Sequence, residues 1–446
     1  MKCIKILIIT LLLFALCSCQ VSISNEFAEN IQAQANAFDY EEAVQIINDE
    51  TDIGMTTVFL ESMGEEKAKA IVEEIQNGTY TELSWLKIAG YSYHVMSDLI
   101  SGNIKADNIS DFGHNGKDSF TVSFVGDILF DPDFMPMVHA SEKGGVLNCI
   151  DPAVVNYLRA SDVFLINNEF TVGERGEPLK GKTWTFQVHP DRLQLFEQMG
   201  VDIVSLANNH VYDYGTEGFE DTIANLDKAG IPHVGAGMNL GEAAQGHYFI
   251  VNGIKVGIVA ASAAEKTLFT PVADEYTAGV MGTYDSAAFL EAIREADAQC
   301  DVLVAYVHWG TENTTKLDKE QIDMAREYID AGVDAVIGGH PHCLQGMDFY
   351  KDVPIIYSVG NFWFNSKSLD SCVITLRIDS EIKTEALIVP LEQKGCETRL
   401  LTDAAERRAL FDRVQGFEPQ GVSINDEGLI VPATVQADAT QMPDQP

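Results

Sequence analysis

Histidine and asparagine residues follow predicted buried strands at three places in this chain, and this pattern most constrains its fold. The three segments are Ala207-Asn208-Asn209-His210, Val307-His308-Trp309-Gly310 and Gly339-His340-Pro341-His342. Open α/β sheets place their ligand sites at the carboxyl ends of strands, so we expect these side chains at one edge of a sheet. Two carboxylates, Asp127 and Glu169, follow further predicted strands upstream. Neutral nitrogen and amide donors beside carboxylates predict a site for two divalent metals.

Short apolar runs alternate with amphipathic stretches from Asp118 onward. The runs predict strands over residues 120–125, 163–167, 203–206, 256–260, 302–307, 335–337 and 355–358. The amphipathic stretches predict helices over residues 190–199, 218–229, 287–296 and 319–331. This alternation predicts an α/β layer architecture. Two later runs, 372–378 and 384–390, are typical of antiparallel strands, so we expect a mixed sheet or a sandwich.

The charge balance excludes one class of partner. The chain has 67 Asp and Glu residues against 29 Lys and Arg, a formal net charge of −38. Such a surface repels nucleic acid phosphates, so no nucleic-acid partner is expected. It also repels an anionic polymer over roughly a Debye length of 8 to 10 Å, so contact with one must be local and assisted by cations.

The N-terminus predicts where the protein is located. A short basic start and an apolar stretch from Ile6 to Leu16 are typical of a secretory signal over residues 1–18. The end of that stretch, Leu16-Cys17-Ser18-Cys19, is similar to a bacterial lipobox with Cys19 as the lipidated residue. We therefore expect an extracytoplasmic lipoprotein held on the cell membrane. A plain signal peptide with incidental cysteines is the alternative.

Three further segments complete the predicted organisation. Residues 19–117 are polar with helical periodicity, which predicts a tether and a small helical module. Residues 118–431 form the predicted main domain. Residues 432–446 lack periodicity and are expected to be a disordered tail.

The order of the motifs resembles the CapA family, which is associated with poly-γ-glutamate capsule biosynthesis and belongs to the calcineurin-like metallophosphoesterase superfamily. The motifs that carry the resemblance are Gly126-Asp127, Asn167-Asn168-Glu169, Ala207-Asn208-Asn209-His210, His308-Trp309-Gly310, Gly339-His340-Pro341-His342 and Ser358-Val359-Gly360-Asn361-Phe362. The resemblance implies a four-layer αββα sandwich with its motifs on loops at one edge. It also implies a role in the biosynthesis or export of a surface polymer.

The resemblance further implies a role for each matching residue. Asp127 and His342 resemble ligands of the first metal, and Glu169 stands where the bridging acid is expected. Asn209, His308 and His340 resemble ligands of the second metal. His210 resembles the catalytic histidine that contacts the leaving group without binding metal. Four further residues are expected to support the site or contact substrate: Asn208, Asp213, Glu312 and Asn361.

Two departures from the superfamily pattern leave alternatives open. Leu129 stands where a metal-binding His is usual, and Glu169 replaces the usual bridging Asp. One or two ions of Mn, Zn, Fe or Mg are therefore expected. The first functional alternative is a metal-dependent hydrolase or transferase acting on a phosphoester or an anionic surface polymer. The second is a non-catalytic, metal-binding scaffold subunit that works with a polymer synthase or exporter.

Overall fold

The computed structural model describes residues 43–47, 65–76, 108–267 and 269–433. Cys19 and the predicted signal segment lie outside these ranges, as does the tail after residue 433. The chain divides into two compact units, Met1–Ile88 and Ala89–Pro446. Within the first unit the described residues are helical, over 43–47 and over α1, Glu65–Gln76. Across the described ranges, no helix combines the length and apolar character that crossing a membrane requires.

The second unit contains the strands and the remaining helices. The strands are β1 Ile109–Gly113, β2 Ser119–Ile128, β3 Val163–Asn168, β4 Thr171–Val172, β5 Gln187–Val188, β6 Ile203–Ser205, β7 His233–Val234, β8 Ala236–Gly237, β9 His247–Val251, β10 Ile254–Ser262, β11 Gly279–Val280, β12 Val302–His308, β13 Ala335–Gly339, β14 Met347–Tyr350, β15 Val353–Ile356, β16 Asn361–Trp363, β17 Leu369–Asp379, β18 Thr384–Lys394, β19 Glu397–Leu400, β20 Val422–Ile424 and β21 Leu429–Pro432. The α-helices are α2 Met135–Lys143, α3 Pro152–Arg159, α4 Gln194–Met199, α5 Gly215–Ala229, α6 Leu240–Ala243, α7 Ala287–Asp297, α8 Lys319–Ala331 and α9 Ala404–Gly416. Short 3-10 turns occupy Val146–Asn148, Pro190–Leu193 and Ala264–Thr267.

Two large mixed sheets organise this unit. The seven-stranded sheet has the order β1-β9-β10-β12-β13-β15-β14. The ten-stranded sheet has the order β20-β21-β18-β17-β2-β3-β6-β7, with β16 added beside β2 and β19 beside β18. Parallel pairing joins β2 to β3 and β3 to β6 in one sheet, and β10 to β12 and β12 to β13 in the other. The carboxyl ends of these central strands therefore meet at one edge of each sheet.

Alternating side chains show that the two sheets pack face to face. In β12, Val304 and Tyr306 join a buried cluster that also contains Phe124 and Leu165 from the ten-stranded sheet. The intervening residue Ala305 belongs to a different cluster, which holds apolar residues of α7 and α8. This alternation follows from the two-residue period of a strand. One face of each sheet therefore lies against the other sheet, and the opposite face lies against helices.

The outer face of the ten-stranded sheet carries its own helices. Phe164 and Ile166 of β3 pack with apolar residues of α2, α3, α4 and α5 in a third buried cluster. The layers are thus helices, ten-stranded sheet, seven-stranded sheet and helices. This confirms the four-layer α/β sandwich that the family resemblance implies.

Most predicted elements match the observed ones in type, with shifted ends. The predicted helix 190–199 begins as a 3-10 turn at Pro190 and becomes α-helical only from Gln194. Strand β1 lies before residue 118 and pairs in parallel with β9. The seven-stranded sheet therefore includes residues that precede the predicted domain boundary. The sequence did not predict this strand, because a short strand at the edge of a sheet has little apolar periodicity.

Candidate functional site

The two predicted carboxylates lie side by side at the carboxyl edge of the ten-stranded sheet. Asp127 is near the end of β2, and Glu169 follows β3 directly. Register pairs Asp127 with Asn167, two residues before Glu169, so parallel pairing brings the acids together. Gly126 permits this arrangement because a Cβ there would lie 1.7 Å from the Gly360 carbonyl oxygen. Both carboxylates are fully buried.

The three predicted imidazole ligands come from the seven-stranded sheet. His308 is the last residue of β12, and His340 and His342 follow β13, with His308 in register with Gly339. The backbone of His340 and His342 has positive φ angles of 93° and 56°. Such strained conformations of residues other than glycine cluster at functional sites. The strain here turns two side chains toward the facing sheet.

Donor atoms from both sheets converge in two groups that share Glu169. Glu169, His308 and His340 form the first group, called here the His308 group, and Asp127, Glu169 and His342 form the second, the His342 group. Within each group the candidate ligand atoms all lie within 4.8 Å of one another. A shared carboxylate between two donor sets is the arrangement that a pair of bridged cations requires.

An amide oxygen extends each group. Asn209 Oδ1 lies 2.9 Å from His308 Nε2, which is itself 3.1 Å from His340 Nδ1. Asn361 Oδ1 lies 2.9 Å from His342 Nδ1, which is 2.8 Å from Asp127 Oδ2. Asn361 therefore adds an amide oxygen beside the His342 group, and Asn209 adds one beside the His308 group.

His210 lies at the edge of the donor groups and is held by Asp213. Its Nδ1 is 2.7 Å from Asp213 Oδ2, and its Nε2 is 4.0 Å from Glu169 Oε1. Asn208 shapes this turn because its Oδ1 accepts hydrogen bonds from the backbone N–H groups of His210 and Val211 at 3.0 and 2.9 Å. The Asp213 contact fixes Nδ1 and leaves Nε2 facing the shared carboxylate.

Aromatic rings cover the two outermost imidazoles. The ring of Phe186 lies 4.4 Å from that of His210, and the ring of Phe364 stacks on His342 at 4.5 Å. These contacts limit rotation of both imidazoles and exclude water from one side of each.

Burial and mutual charge strongly perturb the two carboxylates. Burial would raise the pKa of Asp127, but the hydrogen bond and charge of His342 outweigh that effect and the pKa lies below its usual range. Burial and then the Asp127 charge raise the pKa of Glu169 well above its usual value. Two adjacent buried carboxylates disfavour simultaneous ionisation unless positive charge is near. The pair is therefore suited to cation binding.

The pKa values of His308 and His340 are lowered, which favours the neutral imidazole that coordinates metal. Burial, and then the neighbouring His340, lowers the pKa of His308 well below its usual value. Burial, and then His342, lowers the pKa of His340 to about 3. His342 differs, because its contact with Asp127 overcomes the effect of burial and raises its pKa. Neutral imidazole is the form that coordinates metal.

The donor set fits divalent cations. Glu169 Oε1 is buried and has no hydrogen-bond partner among the described residues. Three imidazole Nε2 atoms surround it, those of His308 at 3.7 Å, His342 at 3.9 Å and His210 at 4.0 Å. A buried acceptor without a donor is costly, and a bound cation removes that cost. Carboxylate, amide oxygen and imidazole groups are ligands that divalent metals accept.

The other predicted residues have distinct positions. Glu312 is exposed on the loop after β12, and its nearest hydrogen-bonding contact is with Asn313 at 3.5 Å. Its charge acts on Glu169 and His342 without a direct contact. Leu129 is buried in the cluster beneath the outer helices of the ten-stranded sheet, away from the imidazole ligands.

Two residues of the site were missed by the sequence analysis as functional side chains. Asn167 Nδ2 donates to Asp127 Oδ1 at 2.8 Å and to Glu169 Oε2 at 3.2 Å, so it ties the two acids together. Lys182 places its ammonium 2.8 Å from Asp213 Oδ1. Asn167 stood within a motif already noted, two residues before Glu169. Lys182 lies on a loop with no periodic pattern that could have identified it.

The chain is similar to several known proteins. A family model described as "Bacterial capsule synthesis protein PGA_cap" matches residues 121–366. The chain is 27% identical over 316 residues to "Capsule biosynthesis protein CapA" of Bacillus anthracis, covering 67% of this chain and 73% of that protein. It is 28% identical over 280 residues to "PGA biosynthesis protein CapA" of Bacillus subtilis, covering 62% and 72%. A solved structure of a hypothetical protein from Thermus thermophilus aligns with a TM-score of 0.39 at 16% identity, covering 62% of this chain and all of that one.

Proposed function

Because this chain belongs to the bacterial capsule synthesis protein family, whose model spans more than half of it, we propose that it acts in the synthesis or export of poly-γ-glutamate or a related surface polymer. The relatives named for capsule and PGA biosynthesis support this proposal. We further propose that it acts as a metal-dependent hydrolase or transferase. Its substrate would be a phosphoester or an amide of the polymer.

The sharing of Glu169 between the two donor groups is the observation that carries this proposal. One buried carboxylate reaches three imidazoles and faces a second buried carboxylate across Asn167. A purely structural role explains this arrangement poorly, because no residue in the described part of the chain donates a hydrogen bond to the buried Glu169 Oε1. The bridged cation pair that the set fits would polarise the substrate and lower the pKa of a bound water.

The chain itself would hold and orient the reacting groups. Asp127, His342 and Asn361 would hold one cation, while His308, His340 and Asn209 would hold the other, with Glu169 between them. His210 would deliver a proton from Nε2 to the leaving group, because Asp213 occupies its Nδ1. Phe186 and Phe364 would keep water away from the two imidazoles.

We propose a membrane-anchored, extracytoplasmic location for this activity. The support is the signal-like stretch and the lipobox-like Leu16-Cys17-Ser18-Cys19. Lipidation of Cys19 would place the domain at the surface where polymer is made or exported. Incorporation of a labelled fatty acid that is lost in Cys19→Ala would test this location; unchanged labelling would contradict it.

A binding role without turnover is the second candidate function. Leu129 favours it, because the family resemblance implies a metal-binding histidine at this position and the sequence has a leucine there. In this role the cations would bridge polymer carboxylates to a protein of net charge −38, which otherwise repels them. Affinity for polyglutamate that survives EDTA would contradict cation bridging.

A cleavage assay separates the two candidates. The purified protein, loaded with Mn²⁺ or Zn²⁺, is expected to cleave an aryl phosphate or a γ-glutamyl polymer. His210→Ala is expected to lower the rate by about 10²- to 10⁴-fold, the usual contribution of a general acid. His233→Ala is the matched control, because His233 pairs with Asp227 outside the donor groups. No cleavage, together with unchanged polymer output in cells carrying His210→Ala, would exclude the catalytic role.

A further inference from the structure

Lys182 has an ammonium group buried beside the candidate site. It lies between β4 and β5, and its side chain is only 4% exposed. Its Nζ is 2.8 Å from Asp213 Oδ1 and 3.4 Å from Glu265 Oε2. It also donates to the backbone carbonyl oxygen of Asn209. The ammonium is thus hydrogen-bonded to one backbone carbonyl and lies within ion-pair distance of two carboxylates.

A second donor reaches the same carbonyl from a different segment. Thr270, also buried, donates from Oγ1 to the Asn209 carbonyl oxygen at 2.9 Å. Two side chains that are distant in sequence therefore hold one peptide group. The side chain of the same residue, Asn209, points to His308, with Oδ1 2.9 Å from Nε2.

Lys182 also neutralises the carboxylate of Asp213, the residue that holds His210. The Asp213 carboxylate is fully buried, and its Oδ2 accepts from the Phe186 backbone N–H at 2.8 Å and contacts His210 Nδ1. A buried carboxylate needs a nearby positive charge or it destabilises the fold. Among the charged groups of the described residues, Lys182 is the cation paired with Asp213.

We propose that Lys182 is a positioning residue: through the Asn209 carbonyl it aims the Asn209 amide at the His308 group, and through Asp213 it aims His210 at Glu169. This inference rests on the proposed function for its chemical consequence, because both residues belong to the proposed metal site. Its geometric content, the orientation of His210 by way of Asp213, can be measured without metal. Lys182 would thus couple a metal ligand to the proton donor.

Substitution of Lys182 tests the proposal in the full chain. Lys182→Met keeps most of the length of the side chain and removes its charge and donors. In the metal-free protein, the downfield imidazole N–H proton signal expected from the His210–Asp213 contact should disappear. In the loaded protein, Mn²⁺ affinity should fall by about 10- to 100-fold, the usual effect of losing a partner of a ligand. The kcat for an aryl phosphate should fall while KM changes little.

Lys182→Arg is the rescue variant, and Lys351→Met is the control. Arginine keeps the charge and donors, so the imidazole signal and part of the Mn²⁺ affinity should return. Lys351 pairs with Asp330 at 2.7 Å on the surface, so its replacement should leave the signal, affinity and kcat at wild-type values. A Lys182→Met protein that folds and keeps both the signal and its Mn²⁺ affinity within threefold would overturn the proposal.

Thr270→Val decides the outcome if Lys182→Met does not fold. It removes one donor to the Asn209 carbonyl and leaves all charges in place. Mn²⁺ affinity should fall by up to about tenfold, with the melting temperature of the metal-free protein unchanged. Unaltered Mn²⁺ affinity in this variant would overturn the proposed role of the carbonyl. If the wild-type protein binds no Mn²⁺, the proposed function fails, while the imidazole signal in Lys182→Arg and Lys182→Met still decides whether Lys182 positions His210.

Discussion

The two sheets contribute chemically different halves of the candidate site. The ten-stranded sheet and its loops supply oxygen donors, from Asp127, Glu169, Asn209 and Asn361. The seven-stranded sheet supplies imidazoles, from His308, His340 and His342. The donor groups exist only where the sheets face each other. Packing of the apolar cluster between the sheets therefore assembles the site, and each donor group draws its residues from both sheets.

The halves also differ in electrostatics. Burial and the Asp127 charge disfavour ionisation of Glu169, whereas burial keeps His308 and His340 neutral. His342 joins the two halves by a direct contact with a carboxylate, its Nδ1 lying 2.8 Å from Asp127 Oδ2. The two buried carboxylates therefore need nearby positive charge, which His308 and His340 do not supply because burial keeps them neutral, whereas His342 supplies some through its contact with Asp127.

The largest effect is expected from Glu169→Gln, because Glu169 belongs to both groups. Replacement of the carboxylate by an amide should abolish binding of both cations. This is a greater loss than the roughly 10- to 100-fold fall in metal affinity that follows when a residue supporting a ligand is changed. The metal-free variant should be at least as stable as the wild type, because the substitution removes a carboxylate whose pKa is raised by burial. Calorimetric titration with Mn²⁺ and thermal unfolding measure these two quantities.

Glu312→Gln is the matched control for that substitution. Glu312 is exposed and contacts none of the ligands directly, so both Mn²⁺ equivalents should remain. Retention of two equivalents by Glu169→Gln would show that the two groups do not depend on a shared carboxylate.

Loss of one histidine ligand should have a smaller effect, because it should remove the cation of one donor group and leave that of the other. His308→Gln removes a ligand of the His308 group alone, and His342→Gln removes one of the His342 group alone. Each variant should retain about one Mn²⁺ equivalent, because the other group keeps its ligands and Glu169. Elemental mass spectrometry after gel filtration gives the count. If either variant still holds two equivalents, that histidine is not a ligand.

Leu129→His tests whether a histidine at this position can complete the His342 group. Leu129 is 1% exposed and packs under the outer helices, so an imidazole there would be a buried polar group in an apolar layer. The free energy of unfolding should fall by about 2–4 kcal/mol with no gain in Mn²⁺ affinity. Denaturant unfolding and calorimetry test both parts. Unchanged stability with tighter binding would place this side chain in the site.

The pH dependence of binding should be the mildest effect. Protons compete with cations for Glu169 and His342, whose pKa values are both raised. Mn²⁺ affinity should therefore increase with pH, and continue to increase above the range where an ordinary carboxyl titrates. Titrations between about pH 5 and pH 8 measure this slope. An affinity that is constant over this range would contradict the shifts attributed to the carboxylate half.

The sequence predicted the layers and the order of the donor residues better than it predicted the residues that hold those donors in place. Strands such as β3 and β12 are continuous apolar runs, and parallel pairing places the residues at their carboxyl ends along one edge, so His308 and Glu169 could be expected there. The roles of Asn167 and Lys182 could not be predicted. Each depends on a contact between segments that only the folded chain brings together, and an isolated polar residue in a loop carries no periodic signal.

The central claim is that Glu169 lies between two cations, each of them held by residues from both sheets. Anomalous diffraction from crystals soaked in Mn²⁺ tests it most directly. We expect two anomalous peaks about 3.5 to 4 Å apart, one beside His308 and His340, the other beside Asp127 and His342, with the Glu169 carboxylate contacting both. Peaks that lie away from Glu169, or ordered Glu169, His308 and His342 side chains without any peak among them, would contradict the account.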